Sequence, residues 1–274
     1  MQMAMLCWAI KAKCRVFDRG LKVVRDMFFD KSYFDKWVAF EQVSAIDPLK
    51  STIFTLPRHE GRAQGTSDLC SSATRLAIMR YSRGDPIGQM IDSSRQMVDM
   101  LALKHEIMAS IVIEPNVRHM WTRLDLSTLY ENLTCLAFIV AQRFSPADQL
   151  QALALIGHAG EDSLLDHIAV LMGVVGRDMA SQSKYPPVYD ALLAVTMAAP
   201  DKRAALLKKY VDSWHRRMKP IYWHQSHKGS EGAYFGYWSF EAALVAMLLN
   251  IDDSALQDHS NYPSDLVKHY RATA

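Results

Sequence analysis

The sequence predicts an all-α protein: a multi-helix bundle of about ten helices. Apolar residues recur at helical spacing along most of the chain, and the strict alternation typical of β-strands is scarce. Glycine and proline stand at the borders of the periodic segments instead of within them. The chain has 274 residues, of which 50% are hydrophobic and 22% charged, so its composition is that of a globular protein. A chain of this length buries a core without needing disulfides or a metal.

The first elements follow from capping signals. Asp30 is placed to cap the first helix. Residues 47–65 contain two prolines and two glycines, which predicts a long loop. The next helix would start after this loop and end at Gly84, a residue suited to the left-handed conformation that closes a helix. Asp85 and Pro86 would then open the following helix, and so short a connection predicts an antiparallel helical hairpin.

The second half has the same organisation. Thr128 and Glu131 are spaced as a capping box, and Ser145 would cap a helix that starts at Pro146. The segment from Phe240 to Leu249 is apolar on nearly all sides, which predicts a helix at the centre of its domain. Further helices are expected over residues 161–172 and 187–198, from residue 200 onward, and after residue 263.

An interruption of the helical pattern near residues 113–125 suggests where the chain divides. We expect an N-terminal helical region over residues 23–118, packed as a hairpin region on a larger C-terminal helical domain over residues 119–274. Residues 1–22 would be an N-terminal extension, and they carry five basic groups and one acid, a net charge of +4.

Charge and hydropathy exclude two classes of protein. The 31 Lys and Arg residues nearly balance the 29 Asp and Glu residues, so the basic stripe of a generic nucleic-acid binder is missing. The longest stretch without a charged residue has 12 residues, whereas a membrane-spanning helix needs about 20. The four cysteines form no C-x-x-C pair, and no secretory pattern is convincing, which favours reduced thiols in a cytoplasmic protein.

Few residues suggest catalysis. His224 and His227, with Glu231 nearby, could bind zinc, but a zincin helix spaces its histidines differently, and glycines at 229 and 232 favour a polar loop. Asp162 and the Asp166–His167 pair are similar to the residues of an all-α metal phosphohydrolase, but they also fit an acidic helix face carrying a surface histidine. We find neither a phosphate-binding glycine-rich loop nor a nucleophile elbow, which favours a binding or structural protein.

An unusually aromatic run covers residues 234–240. It could stack on bases, but it leads directly into the apolar helix from Phe240, which favours packing in the core. Glu241 is the exception there, because a carboxylate beside an apolar helix must find hydrogen-bond donors. Asp252 and Asp253 follow that helix; they could bind magnesium, but a cap on the next turn is the simpler interpretation.

Three blocks of this C-terminal region resemble the sequence pattern of PoNi-type immunity proteins, which protect bacteria from PoNe-type DNase toxins. The blocks are Gly236–Ala243, Ile251–Asp253 and Tyr262–Leu266. The N-terminal half resembles the companion domain of that family at Arg25–Asp26, Tyr33–Asp35 and Arg80–Gly84.

The resemblance implies a mostly helical, cytoplasmic protein that is not an enzyme and needs no cofactor or metal. Its partner would be a cognate PoNe-type DNase, and the chain would not contact nucleic acid or membrane directly. Whether it also forms a homodimer is left open by the resemblance. The shared residues would be structural: Tyr81, Gly84, Gly236, Trp238, Phe240, Glu241, Asp252, Asp253, Tyr262, Pro263 and Asp265. The alternatives are a metal-dependent α-helical hydrolase and a helical adaptor.

Charge suggests where a toxin would bind. A DNase cleft is basic because it holds phosphates, so an inhibitor that covers it should present acids. Residues 148–190 contain six acids and two bases, a net charge of −4. We expect four of these acids to project outward and face the toxin, although the same pattern also fits a solvated helix face: Glu161, Asp162, Asp166 and Asp178. The aromatic and basic surface near residues 222–228 is the second choice.

Overall fold

The structure is a computed structural model that describes residues 24–273. In that range every regular element is helical, so the predicted all-α fold is confirmed, with eleven helices where about ten were expected. The N-terminal extension, residues 1–22, lies outside the described residues. Helix α1 consists of the α-helical segments Lys31–Phe40 and Asp47–Thr52, joined by the π-helical segment Glu41–Ile46. The others are α2 His59–Arg83, α3 Ile91–Ser110, α4 Pro115–Thr122, α5 Leu126–Ala141, α6 Pro146–Ile156, α7 Ser163–Leu171, α8 Pro186–Met197, α9 Pro200–Arg217, α10 Phe240–Leu248 and α11 Ser264–Ala272.

Helix α10 lies at the centre of the C-terminal half, as its apolar sequence predicted. It packs most extensively on α5 and also contacts α7, α8, α9 and α11. Its residues from Phe240 to Met247 are all buried. One continuous hydrophobic core runs from Phe34 near the N-terminus to Val267 in α11, so the N-terminal helices share it. The division of the chain near residue 118 stays a prediction.

The α2–α3 hairpin is present, and α2 ends at Gly84 as expected. Gly84 adopts a left-handed φ of 101°, and its N–H donates to the Tyr81 carbonyl at 3.0 Å. The predicted cap at Asp85 is wrong, because its carboxylate accepts from Arg80 and Arg83 instead. Helix α3 therefore starts only at Ile91, after a 3₁₀ turn over Ile87–Met90.

The long loop predicted over residues 47–65 is wrong. Pro48 lies in the first turn of the helical segment Asp47–Thr52, where its missing N–H costs nothing. Gly65 lies inside α2, where a Cβ atom would come within 2.6 Å of the Ile53 side chain. This glycine lets the end of α1 pack against α2, so it serves close packing and does not break the helix.

The capping box at Thr128 is also wrong. The cap of α5 is Asp125, whose carboxylate accepts from the Thr128 N–H at 2.8 Å. Glu131 accepts instead from the Ser71 hydroxyl of α2 at 3.0 Å, a contact that ties two helices together. Asp30 and Ser145 cap their helices as predicted.

Within residues 24–273, no single helix is both long enough and apolar enough to span a membrane. Only α4 and α5 taken as a pair, bent by 48° where they meet, satisfy the criterion by length and composition.

Candidate functional site

The predicted toxin-facing acids lie at and around α7, and Asp162 is the first of them. Its carboxylate caps the helix by accepting from the Leu165 N–H at 2.9 Å, and it also accepts from the Lys184 N–H at 2.7 Å. The residue is completely buried, and this burial raises its pKa. The prediction that Asp162 projects into solvent is therefore wrong, because one of its oxygens caps the helix start and the other accepts from the backbone at Lys184.

Asp166 is buried as well. Its Oδ1 atom lies 2.7 Å from Arg177 Nε, and the two side chains are 0% and 6% exposed. Asp166 also accepts from the Ala180 N–H at 2.9 Å and from the Gly160 N–H at 3.2 Å. The expectation that this acid faces outward is wrong for a physical reason: the chain after the helix folds back over the face of α7 that carries Asp166 and over the Asp162 cap that precedes it.

That chain segment, residues 172–185, is called the anchored loop below. Helix α7 ends in a left-handed Gly173, with the Gly173 N–H bonded to Val170 and the Val174 N–H bonded to Ala169, each at 3.0 Å. Further along the loop, Arg177 donates to the Gly157 carbonyl at 3.0 Å. These bonds, together with those to Asp162 and Asp166, fix the loop along its whole length.

The outer surface of this region is partly apolar and partly acidic. Val175 is 95% exposed and Met179 is 46% exposed. Asp178 is exposed beside Gly160, where an added Cβ would lie 3.5 Å from the Asp178 Cβ. Glu161 is exposed as well and pairs with Lys184 at 2.8 Å. Of the four predicted acids, the structure thus leaves Glu161 and Asp178 at the surface.

The residues singled out as a structural motif meet in the core. The Tyr81 ring packs edge-on against Trp238, with 5.0 Å between ring centroids, and against Phe240 at 5.3 Å. All three side chains are buried, so Trp238 and Phe240 are not a stacking platform. Gly236 has a left-handed φ of 121°, and a Cβ there would lie 2.2 Å from Ser82 Oγ. Only glycine fits that position.

A second group of motif residues joins the last helix to the chain before it. The buried Asp253 carboxylate accepts from the Tyr262 hydroxyl at 2.8 Å and pairs with Arg271. Asp252 accepts from the Ser254 N–H at 3.0 Å, as expected of a cap on the next turn. The remaining two members lie at the start of α11: Pro263, which precedes the helix, and Asp265, whose carboxylate pairs with Arg25.

Glu241 is the buried carboxylate in the centre of the C-terminal half. Its Oε1 atom accepts from Tyr210 at 2.7 Å, from Trp214 Nε1 at 2.5 Å and from Ser239 at 3.1 Å. Complete burial raises its pKa. Three donors converge on it from two other parts of the chain, so its role is to fix α9 and the chain before α10 around the core helix.

The residues of the metal-site alternative are not assembled. His227 Nδ1 lies 2.9 Å from the Tyr237 hydroxyl, whereas the His224 ring stacks on His215 with 4.5 Å between centroids. Glu231 pairs with Lys36 of α1. Across residues 24–273, no three His, Cys, Asp or Glu side chains are grouped so that they could hold a metal ion.

Sequence reasoning missed a cavity of about 460 Å³ between α2, α3, α4 and α5. Glu131 and Lys104 line it together with Trp121 and Tyr222. Burial raises the pKa of Glu131 to about 7. No local signal marks such a cavity, because its walls come from four helices that are separate in the sequence. The role of Arg177 was missed too, because a count of charges along the sequence does not show that this base is internal.

Comparison with known proteins gives two findings. Residues 160–266 match the family model described as "PoNe immunity proteins (PoNi), C-terminal". The structure is similar to the crystal structure of protein PA2201 from Pseudomonas aeruginosa, with a TM-score of 0.65 and 17% sequence identity, covering 98% of this chain and 96% of that one. At this identity the similarity concerns the fold alone. No curated protein matches the sequence.

Proposed function

We propose that this protein, whose residues 160–266 belong to the family of PoNe immunity proteins, binds a cognate PoNe-type DNase toxin and blocks its DNA-binding or catalytic cleft. The family match carries the proposal. It covers α7 through the start of α11, which includes the anchored loop, the Glu241 network and the Tyr262–Asp253 contact. The resemblance noted in the sequence is thereby confirmed in its C-terminal part.

The arrangement of polar groups favours binding over catalysis. Asp162, Asp166, Glu241 and Asp253 are the buried carboxylates of the matched region, and each holds parts of the backbone or other helices in place. An enzyme would instead direct such groups toward a substrate, with a nucleophile or base in hydrogen-bond reach. We therefore propose a protein without enzymatic activity or cofactor, which acts in the cytoplasm, where the toxin would reach DNA.

Surface charge supports electrostatic attraction to a nuclease. Four of the six acids between residues 148 and 190 are exposed: Asp148, Glu161, Asp178 and Asp190. Of the two bases, Lys184 is exposed and Arg177 is internal. An acidic surface speeds the encounter with a basic cleft, and this effect falls as salt rises. Binding of the nuclease needs no contact of this chain with nucleic acid or membrane.

The test is neutralisation of a toxin. The probes are a set of PoNe-type DNases, each expressed alone or together with this chain in a bacterial host. We expect co-expression to restore growth and the purified chain to inhibit DNA cleavage in a titration that ends at a fixed stoichiometry. An unrelated DNase is the control and should stay active. A chain that neither binds any of these PoNe-type DNases nor restores growth would refute the proposal and favour the helical adaptor.

A further inference from the structure

We propose that the outward face of the anchored loop, formed by Val175, Asp178 and Met179, is the central contact with the nuclease domain of the toxin. Asp166 and Arg177 are the positioning residues that hold it. This inference rests on the proposed function and names the surface that would carry it out. The family match does not single out these residues.

The loop is held from the inside at every third residue. Val174 packs against the hydrophobic core, Arg177 pairs with buried Asp166, and the Ala180 N–H bonds to the same carboxylate at 2.9 Å. The residues between these anchors are left to face solvent. Val175 and Met179 are therefore displayed by a backbone that is already fixed in the free protein.

Val175 is 95% exposed, so its side chain contacts little of the rest of the protein. It lies between Gly173 and Gly176, both in the left-handed region, and an added Cβ at either glycine would find no heavy atom within 4 Å. Val170 and Leu171, on the last turn of α7, are also 49% and 38% exposed. Single exposed apolar residues are common, but four within ten residues concentrate apolar surface in one region, called the patch below, and such concentrations mark interaction sites.

The anchoring makes most physical sense as preorganisation. A buried ion pair contributes little net stability, because the loss of hydration offsets the attraction between the charges. The pair does, however, fix the geometry of a loop whose two glycines would allow it many conformations. A loop fixed before binding loses less conformational entropy on association, which strengthens binding without adding contacts.

The charge around the patch indicates the charge that the partner's surface must carry. Asp178 lies in the loop beside Met179 and packs near Gly160, and the exposed Glu161 that follows Gly160 pairs with Lys184 at 2.8 Å. Stable interfaces combine an apolar centre with a polar rim, and truncation of the central residues costs most affinity. The matching surface is an apolar depression bordered by Lys and Arg side chains. A DNase offers such a border at its phosphate-binding cleft.

The experiment measures affinity for the catalytically inactive nuclease domain of a PoNe-type DNase that the wild-type chain neutralises. Val175→Ser/Met179→Ser is expected to weaken binding at least about tenfold, the effect of removing a central contact. Val112→Ser is the matched control, because Val112 is 83% exposed but lies before α4, outside the loop. It should bind within about twofold of the wild type, as a residue outside the interface does. Both variants change exposed side chains, so their melting temperatures should equal that of the wild type.

The electrostatic part has its own readout. Asp178→Lys should slow association at low salt, and the difference from the wild type should shrink at high salt. A wild-type chain that fails to bind any PoNe-type nuclease would refute the proposed function itself. A wild-type chain that binds and inhibits, while the double serine variant does so equally well, would leave that function intact and overturn the assignment of the loop.

Discussion

Removing one member of the Asp166–Arg177 pair should be far more damaging than removing an ordinary surface charge. In Asp166→Ala the Arg177 guanidinium stays buried with the Gly157 carbonyl as its remaining acceptor. Breaking a buried pair in this way costs about 3–5 kcal/mol. The half-buried Ala180 N–H also loses its acceptor, which adds to this cost. Arg177→Ala should cost less, because Asp166 keeps its two backbone donors.

A double-mutant cycle isolates the interaction between the two side chains. Since Asp166→Ala/Arg177→Ala no longer buries an isolated cation, it should be less destabilised than the two single costs added together, by about 2–3 kcal/mol, as expected for contacting residues. The matched control is the Lys208–Asp212 pair, whose side chains are 47% exposed and whose atoms are equally close, 2.8 Å apart. Its coupling should stay below about 1 kcal/mol.

Urea unfolding followed by circular dichroism gives the free energy of unfolding of each variant. Equal m-values would confirm that all variants expose the same surface on unfolding, so that their free energies can be compared. Coupling no larger than that of Lys208–Asp212 would refute the claim that the pair is buried and structural. A further variant, Asp166→Leu/Arg177→Met, removes both charges and keeps apolar volume. It should remain folded, since apolar replacement of a buried pair is often tolerated, but bind the inactive nuclease more weakly because the loop is no longer fixed. Equal affinity would show that the pair has no positioning role.

Two further predictions concern the core and the cavity. Trp238→Ala should cost roughly 3–5 kcal/mol and Trp238→Phe clearly less, because Trp238 is only 5% exposed; unchanged melting of the alanine variant would contradict its place in the core. Burial raises the pKa of Glu131 from its ordinary value of 4.5 to about 7, so its protonated form stabilises the fold: this contribution is full below pH 4.5 and is lost as the pH rises through 7. Glu131→Gln should therefore raise the melting temperature more at pH 8 than at pH 5, and calorimetry that shows the same shift at both values would exclude this titration.

Local physics explains which elements could be predicted from the sequence. The helix starts at Asp30 and Ser145 and the helix end at Gly84 depend on bonds within a few residues, so the chain encodes them directly. The buried aromatic segment at Trp238 and Phe240 could be predicted too, because its neighbours leave the helix no polar face. The resemblance of this segment to immunity proteins depended on the same short, ordered blocks.

Predictions failed where side-chain contacts outside the recognised pattern outweigh a residue's local preference. Asp85 looks like a cap in sequence, but two arginines at the end of α2 take its carboxylate. Gly65 looks like a helix breaker, but it lies in a helix because the Ile53 side chain needs the space of its missing Cβ. In both cases a local preference of about 1 kcal/mol is smaller than the tertiary contacts that oppose it.

The acidic segment shows the same limit at the site itself. The sequence alone predicted a helix that carries Asp166 on one face, with Asp162 four residues before it near the helix start. Only the tertiary structure decided that the anchored loop folds back over this face, which buries both acids and displays Val175 in their place. The physical reason is that exposure depends on what the rest of the chain covers. That covering is the sum of many weak contacts between residues far apart in sequence, and no single segment encodes it.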